Sequence, residues 1–223
     1  MSEPLSPRSA PLRSIALGDG LPASLRGAHV AIGNFDGMHR GHQAVLAATL
    51  DRARAEGRPA LALTFEPHPR TFFAPDAPVF RLTPPAAKAR LVTALGLDGL
   101  VVAPFDADLA GLSAEDFVAS VLVERLGLAS ATVGWDFHFG KGRGGSPAFL
   151  SEAGKRHGFG VDVVEPHTAE DGALVSSSRI RGALEAGDLA QASGLLGYRW
   201  FVEGEIVGGD RRGRDLGFPT ANM

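Results

Sequence analysis

The chain contains no cysteine, which removes disulfides, thiolate metal sites and cysteine nucleophiles together. It also lacks any apolar run approaching the ~18–20 residues that a membrane-spanning helix requires. Residues 1–13 hold proline, serine and arginine but no apolar stretch of the kind a secretory signal needs. A disordered leader over residues 1–16 is expected, with the cytoplasm as compartment and no membrane partner. Charge of one sign is missing too. With 22 basic and 25 acidic residues the net charge is −3, which gives no general attraction for nucleic acid. A polyphosphate ligand would have to be held by locally placed cations and backbone amides. There is no H-E-x-x-H string, and neither internal repeats nor low-complexity tracts are seen.

What remains is the composition of an ordinary globular chain, 223 residues long with 44% hydrophobic and 21% charged residues. Between residues 28 and 165 short apolar runs alternate with helix-period segments. Strands are expected at 28–35, 59–65, 100–103, 131–135 and 161–164. Helices are expected at 42–56, with Val45, Leu46, Thr49, Leu50 and Ala53 on one face, and at 85–95. A third starts at Ser113 with Phe117, Val118, Val121, Leu122 and Leu126 inward, and a fourth at Ser146-Pro147. Near-continuous apolar strands between helices indicate the α/β class, a doubly wound parallel sheet of Rossmann-like type covered on both faces. Ligands of such sheets sit beyond the carboxyl ends of the strands. After residue 176 come two short helical patterns, 179–186 and 188–196. Over 198–206, Trp200, Val202 and Ile206 then alternate with Arg199, Glu203 and Glu205, the period of a half-exposed strand.

Between the first strand and first long helix stands Gly33-Asn34-Phe35-Asp36-Gly37-Met38-His39-Arg40-Gly41-His42. Its glycines permit a tight turn and close approach of a ligand. The helix N-terminus offers unpaired N–H groups suited to phosphate. His39 and His42 can donate to phosphate oxygens as charge builds in a transition state. A surface pair, or one capping and one packed histidine, are the plainer readings of the same spacing. Further on, two prolines stiffen Phe65-Glu66-Pro67-His68-Pro69 at the ligand edge. Phe72 and Phe73 could add an apolar wall or enter the core. Gly134–Gly145 contains Gly140, Gly142 and Gly145 in G-x-G-x-x-G spacing, with Asp162 about twenty residues on. A dinucleotide-binding fingerprint belongs at the opening strand, however, and here Asp136–Phe139 separate strand from glycines. Val175-Ser176-Ser177-Ser178-Arg179-Ile180-Arg181 combines hydroxyls at a helix start with arginine forks.

The first string resembles the G-x-F-D-G-x-H-x-G-H signature of nucleotidyltransferases in the variant typical of FAD synthases. The other three are similar, in order, to that family's F-x-P-H-P, G-x-D-F-x-F-G-x-x-R-x-G and I-S-S-T-x-I-R segments. Trp135, His138 and Ser178 depart from the commoner residues. The resemblance implies an FMN adenylyltransferase that makes FAD and pyrophosphate from FMN and ATP with Mg²⁺. It implies catalytic roles for His39, His42 and Arg181, and nucleotide contacts at Gly33, Phe35, Asp36, Gly41, Ser177 and Ser178. Flavin contacts would come from Pro67, His68, Pro69, Asp136, Phe137, Phe139 and Arg143, with no protein-held metal. The string Gly204–Asn222 resembles the opening of a riboflavin kinase module, with Thr220 and Asn222 its Mg²⁺ and ATP residues. The expected organisation is thus a transferase domain over 17–186 and an incomplete β-barrel fragment over 187–223, without kinase activity and with Trp200 and Phe201 exposed. A different phosphate acceptor, or a non-catalytic flavin- or nucleotide-binding protein, are the alternatives.

Overall fold

The computed structural model describes residues 13–204. Six parallel strands form one sheet: β1 (Arg13–Ala16), β2 (His29–Ile32), β3 (Ala60–Glu66), β4 (Gly99–Pro104), β5 (Ser130–Gly134) and β6 (Gly160–Val164). They lie in the order β1-β4-β3-β2-β5-β6. The expected doubly wound class is therefore observed. Strand β1 corrects the expected leader, whose last four residues, 13–16, are in the sheet. They pair in register with β4, Arg13 opposite Gly99 and Ala16 opposite Val102. Four residues are too few to show a period, and their partner lies some 86 positions away.

The helices are α1 (Arg40–Glu56), α2 (Pro69–Phe73), α3 (Pro85–Ala94), α4 (Ala107–Gly111) and α5, which opens at Ala114–Asp116 and runs on in wider π-type winding over Phe117–Leu126. They continue with α6 (Pro147–His157), α7 (Ser177–Glu185) and α8 (Leu189–Leu196). Local chemistry explains their ends. Ser113 and Ser146 cap α5 and α6, accepting from Asp116 N and Phe149 N at 3.1 and 3.2 Å. Gly57 closes α1 in the left-handed region at φ 64°. The buried face of α1 is Val45, Leu46, Thr49, Leu50 and Ala53, and that of α5 is Phe117, Val118, Val121, Leu122 and Leu126. Both sets are those the periodicity indicates.

Alternation along the central strands divides the interior in two. Val30, Ile32, Leu61 and Leu63 face the side of α5, whereas Ala31, Ala60 and Ala62 face α1. Alanines on that face let α1 lie close to the sheet. A third cluster joins Leu82, Ile180, Ala183, Ala192, Leu195 and Leu196, with Tyr198 and Trp200 against it. The expected boundary at residue 186 thus falls between two helices, α7 and α8, that pack as a pair. Helix α8, with Tyr198 and Trp200 after it, packs against α7 and Leu82. Trp200 is half-buried, its Nε1 donating to Leu82 O at 3.0 Å, and 199–204 form no strand. Of the strand expected over 198–206, the described residues 198–204 are not in strand conformation, and Trp200 docks on Leu82. Residues 1–12 and 205–223, including Ile206, Thr220 and Asn222, lie outside the described residues.

Strand order reverses at β2, which has β3 on one side and β5 on the other. The crevice at the carboxyl ends of β2 and β5 is the place where such sheets bind ligands.

Candidate active site

The turn from β2 into α1 occupies that crevice. Phe35, Gly37 and Met38 have φ of 48°, 90° and 42°, so two side-chain-bearing residues sit in the left-handed region, a conformation that persists only when the surroundings over-determine it. They do. Phe35 and Met38 are buried at 1% exposure. Gly37 N donates to Thr83 Oγ1 at 2.9 Å and Gly37 O accepts from Tyr198 at 2.8 Å. Gln43 Nε2 reaches Met38 O and Leu196 O, each at 2.7 Å.

The turn delivers both histidines to the start of α1. His39 is the capping residue, its Nδ1 accepting from His42 N at 3.3 Å. Neutral with Nδ1 as acceptor, its ring carries the proton on Nε2, a donor free for a ligand. The two rings stack with centroids 3.6 Å apart and planes 16° apart, and Phe35 meets His42 edge-on at 5.5 Å. Burial, then nearby His167, pushes His39 down to about 4. Burial first, then His39 and Lys88, pushes His42 well below the usual range. His42 Nδ1 is buried without a hydrogen-bond partner. Near neutral pH the pair therefore offers hydrogen bonds, not cationic charge. A Cβ at position 41 would lie 3.3 Å from the His39 ring, which explains the glycine there.

The third motif is clamped onto the first. Ser176 caps α7, and Ser177 Oγ donates to Asp36 O at 2.7 Å. Arg181 donates through Nη2 to the Asp36 carboxylate and through Nε to Phe80 O at 2.8 Å. Asp36 is 1% exposed and also accepts from Leu82 N and Thr83 N at 3.3 and 3.0 Å. Its carboxylate is thus an anchor between turn and α7 rather than a group open to nucleotide, and Arg181 is already half engaged. Arg179 pairs with Asp171 at 2.6 Å. Ser178 stands exposed on the first turn of α7.

The remaining segments rim the same edge. His68 is buried, caps α2 by accepting from Arg70 N at 3.1 Å, and is pushed down to about 4 chiefly by burial. Pro67 and Pro69 flank it, Pro69 opening α2. Phe72 and Phe73 pack edge-on with Phe105, and Phe73 is 68% exposed. Beyond β5, Asp136 is exposed and Phe137 stacks on Phe139 at 5.4 Å. Phe139 itself is buried against Phe117 and Phe149. Its backbone bridges Gly145, and its ring, set in the core, pins the loop. Arg143, at φ 59°, is exposed with no side-chain partner among the described residues. Asp162 lies on β6 and pairs with Arg52 at 2.6 Å, away from these glycines.

Sequence reasoning missed the polar groups beneath the turn. Lys88 of α3 is 1% exposed, and Arg81 grips Glu66 in a two-pronged pair at 2.7 and 2.5 Å. Glu66 stood inside a recognised motif, but a single lysine on a helix carries no sequence signal. Among the described residues no three His, Asp or Glu side chains converge on a metal position.

Three comparisons bear on this arrangement. Residues 21–179 match the family model described as FAD synthetase, and residues 196–223 match riboflavin kinase. Curated proteins named bifunctional riboflavin kinase/FMN adenylyltransferase are similar throughout. The Escherichia coli K12 protein is 40% identical over 90% of this chain and 64% of its own length. The Pseudomonas fluorescens protein is 43% identical over 89% and 63%. The Bacillus subtilis protein is 36% identical over 87% and 61%. This chain therefore spans less than two thirds of those relatives. A crystal structure titled macrolide-efflux protein from Streptococcus pneumoniae superposes with a TM-score of 0.78 at 28% identity, over 94% of this chain and 68% of that one.

Proposed function

The chain belongs to the FAD synthetase family, and from that premise we propose that it transfers the adenylyl group of ATP to FMN. A phosphate oxygen of FMN attacks the α-phosphorus of ATP, the bond from that phosphorus to the β-phosphate bridge oxygen breaks, and FAD and pyrophosphate result. No protein nucleophile takes part, so the rate enhancement comes from positioning and electrostatics.

The observation that carries this reading is the stacked His39–His42 pair at the start of α1, the helix that follows the strand where sheet order reverses. His39 Nε2 and the neighbouring amides would meet the α-phosphate and the leaving pyrophosphate. Held neutral, each imidazole keeps one N–H to donate. Arg181 has Nη1 uncommitted and would reach the distal phosphates together with Ser178. Mg²⁺ arrives as part of the nucleotide substrate, bound by phosphate oxygens and water, since the turn's own carboxylate, Asp36, is taken up by Leu82, Thr83 and Arg181. The flavin would lie along the rim formed by Pro67–Pro69, Asp136, Phe137 and Arg143. The cytoplasm, where ATP is available, is the proposed compartment.

Purified protein incubated with FMN, ATP and Mg²⁺ tests this directly, with flavins resolved by chromatography and a parallel reaction on riboflavin. FAD from FMN, and no FMN from riboflavin by this stretch of chain, is the expected result. Folded protein that produces no FAD would overturn the assignment and point to another phosphate acceptor.

A further inference from the structure

Lys88 is sealed at 1% exposure, yet each of its three ammonium donors has an acceptor. Nζ donates to Asn34 O at 2.8 Å, to Thr64 Oγ1 at 2.9 Å and to Glu66 Oε1 at 2.9 Å. The side chain thus ties α3 to β3 and to the first residues of the left-handed turn. Asn34 O accepts a second bond from Thr64 Oγ1 at 3.0 Å, and the next residue, Phe35, has φ 48°. Whatever holds this carbonyl holds the start of the strained path to His39.

Stability alone does not account for such a group. Replacing buried ions with well-packed apolar side chains is often neutral or stabilising. The surrounding charges are unequal as well. Three cations, Lys88, Arg81 and Arg181, face two carboxylates, Glu66 and Asp36. Among these five groups one positive charge is left over beneath the turn, where low dielectric would strengthen its pull on an anion.

We propose that Lys88 is a positioning residue for adenylyl transfer: by holding the Asn34 carbonyl against β3 it sets the turn that places His39 and His42, and its charge favours that turn with polyphosphate bound. It is too enclosed to touch substrate. The proposal rests on the FMN adenylyltransferase reading.

The absence of cysteine makes a clean test possible. In the full chain, Lys88→Cys carries a single thiol, which can be alkylated under denaturant and refolded. Bromoethylamine rebuilds a lysine-length ammonium there, and bromopropane a neutral chain of the same length. The ammonium form should recover kcat to within about threefold of wild type. The propyl form should stay down by about tenfold to a hundredfold in kcat with its KM for FMN nearly unchanged. Equal kcat in the two forms would overturn the proposal, because packing alone would then suffice. Thr64→Val, nearly isosteric, serves should the alkylated proteins not refold. A drop of about fivefold in kcat without a matching change in FMN KM is expected, and unchanged kcat would overturn the inference. Wild-type chain that makes no FAD would instead sink the functional reading itself, and this proposal with it.

Discussion

The β2–α1 unit carries buried histidines at both of its ends, and the two ends are built differently. At the amino edge of the sheet, His29 begins β2 with no exposure, its ring between Ser130 Oγ at 2.5 Å and Glu56 Oε2 at 3.1 Å. Glu56 is the last residue of α1, so this contact locks helix to strand. At the carboxyl edge, His39 caps α1 and stacks on His42, whose Nδ1 is left without a partner. Burial is the leading reason that all three rings are pushed toward the neutral form. The difference lies in their company. His29 and His42 each have one ring nitrogen without a hydrogen bond. But His29 Nε2 lies 3.1 Å from the Glu56 carboxylate and serves the fold, whereas His42 Nδ1 has no such counter-charge beside a helix start and a strained turn and is ready for a ligand.

The comparison breaks most sharply on His42→Ala. That variant should melt near wild type but lose FAD formation by about a hundredfold to a thousandfold, the scale of one lost transition-state donor. Wild-type-like turnover would place His42 with His29 as a fold residue. His29→Ala should do the opposite, costing about 2–3 kcal/mol of stability in denaturant unfolding while the folded fraction keeps its kcat.

A pH titration sharpens the shared feature. His29, His39, His42 and His68 all have lowered folded values, so below about pH 6.5 the unfolded chain binds more protons than the native one. Stability is complete above that point, declines as pH falls, and the share owed to His39 and His68 stops declining near 4. Urea midpoints should follow that course, with a shallower slope in His29→Ala. A flat profile between pH 7 and 5 would show that these rings are not buried neutral. The smallest effect is expected from Tyr198→Phe, which removes the bond to Gly37 O and should cost about 1 kcal/mol, with a modest fall in kcat that reports on the turn.

Local signals gave away much of this molecule. Ser113 and Ser146 mark helix starts by capping chemistry alone, and the faces of α1 and α5 follow from period. The His39–His42 pair was visible because glycines at 33, 37 and 41 mark a turn where a ligand can approach. Other features depend on partners far along the chain. Strand β1 exists only against β4, α8 joins α7 across an expected domain boundary, and Phe139 enters the core from a loop that folds back on Gly145. The role of Asp36 was hidden too, since Leu82, Thr83 and Arg181 reach it from 46, 47 and 145 positions away.

By itself, then, the order of residues determined the α/β class, the starts of α5 and α6 and the family to which the chain belongs, because capping, periodicity and short motifs act within a few residues. Only the tertiary structure decided that Asp36 is an anchor, that Arg181 is partly engaged, and that Lys88 underlies the turn. Those outcomes are contests between distant charged groups for buried partners, and in a medium of low dielectric the winner is settled by where each side chain ends up.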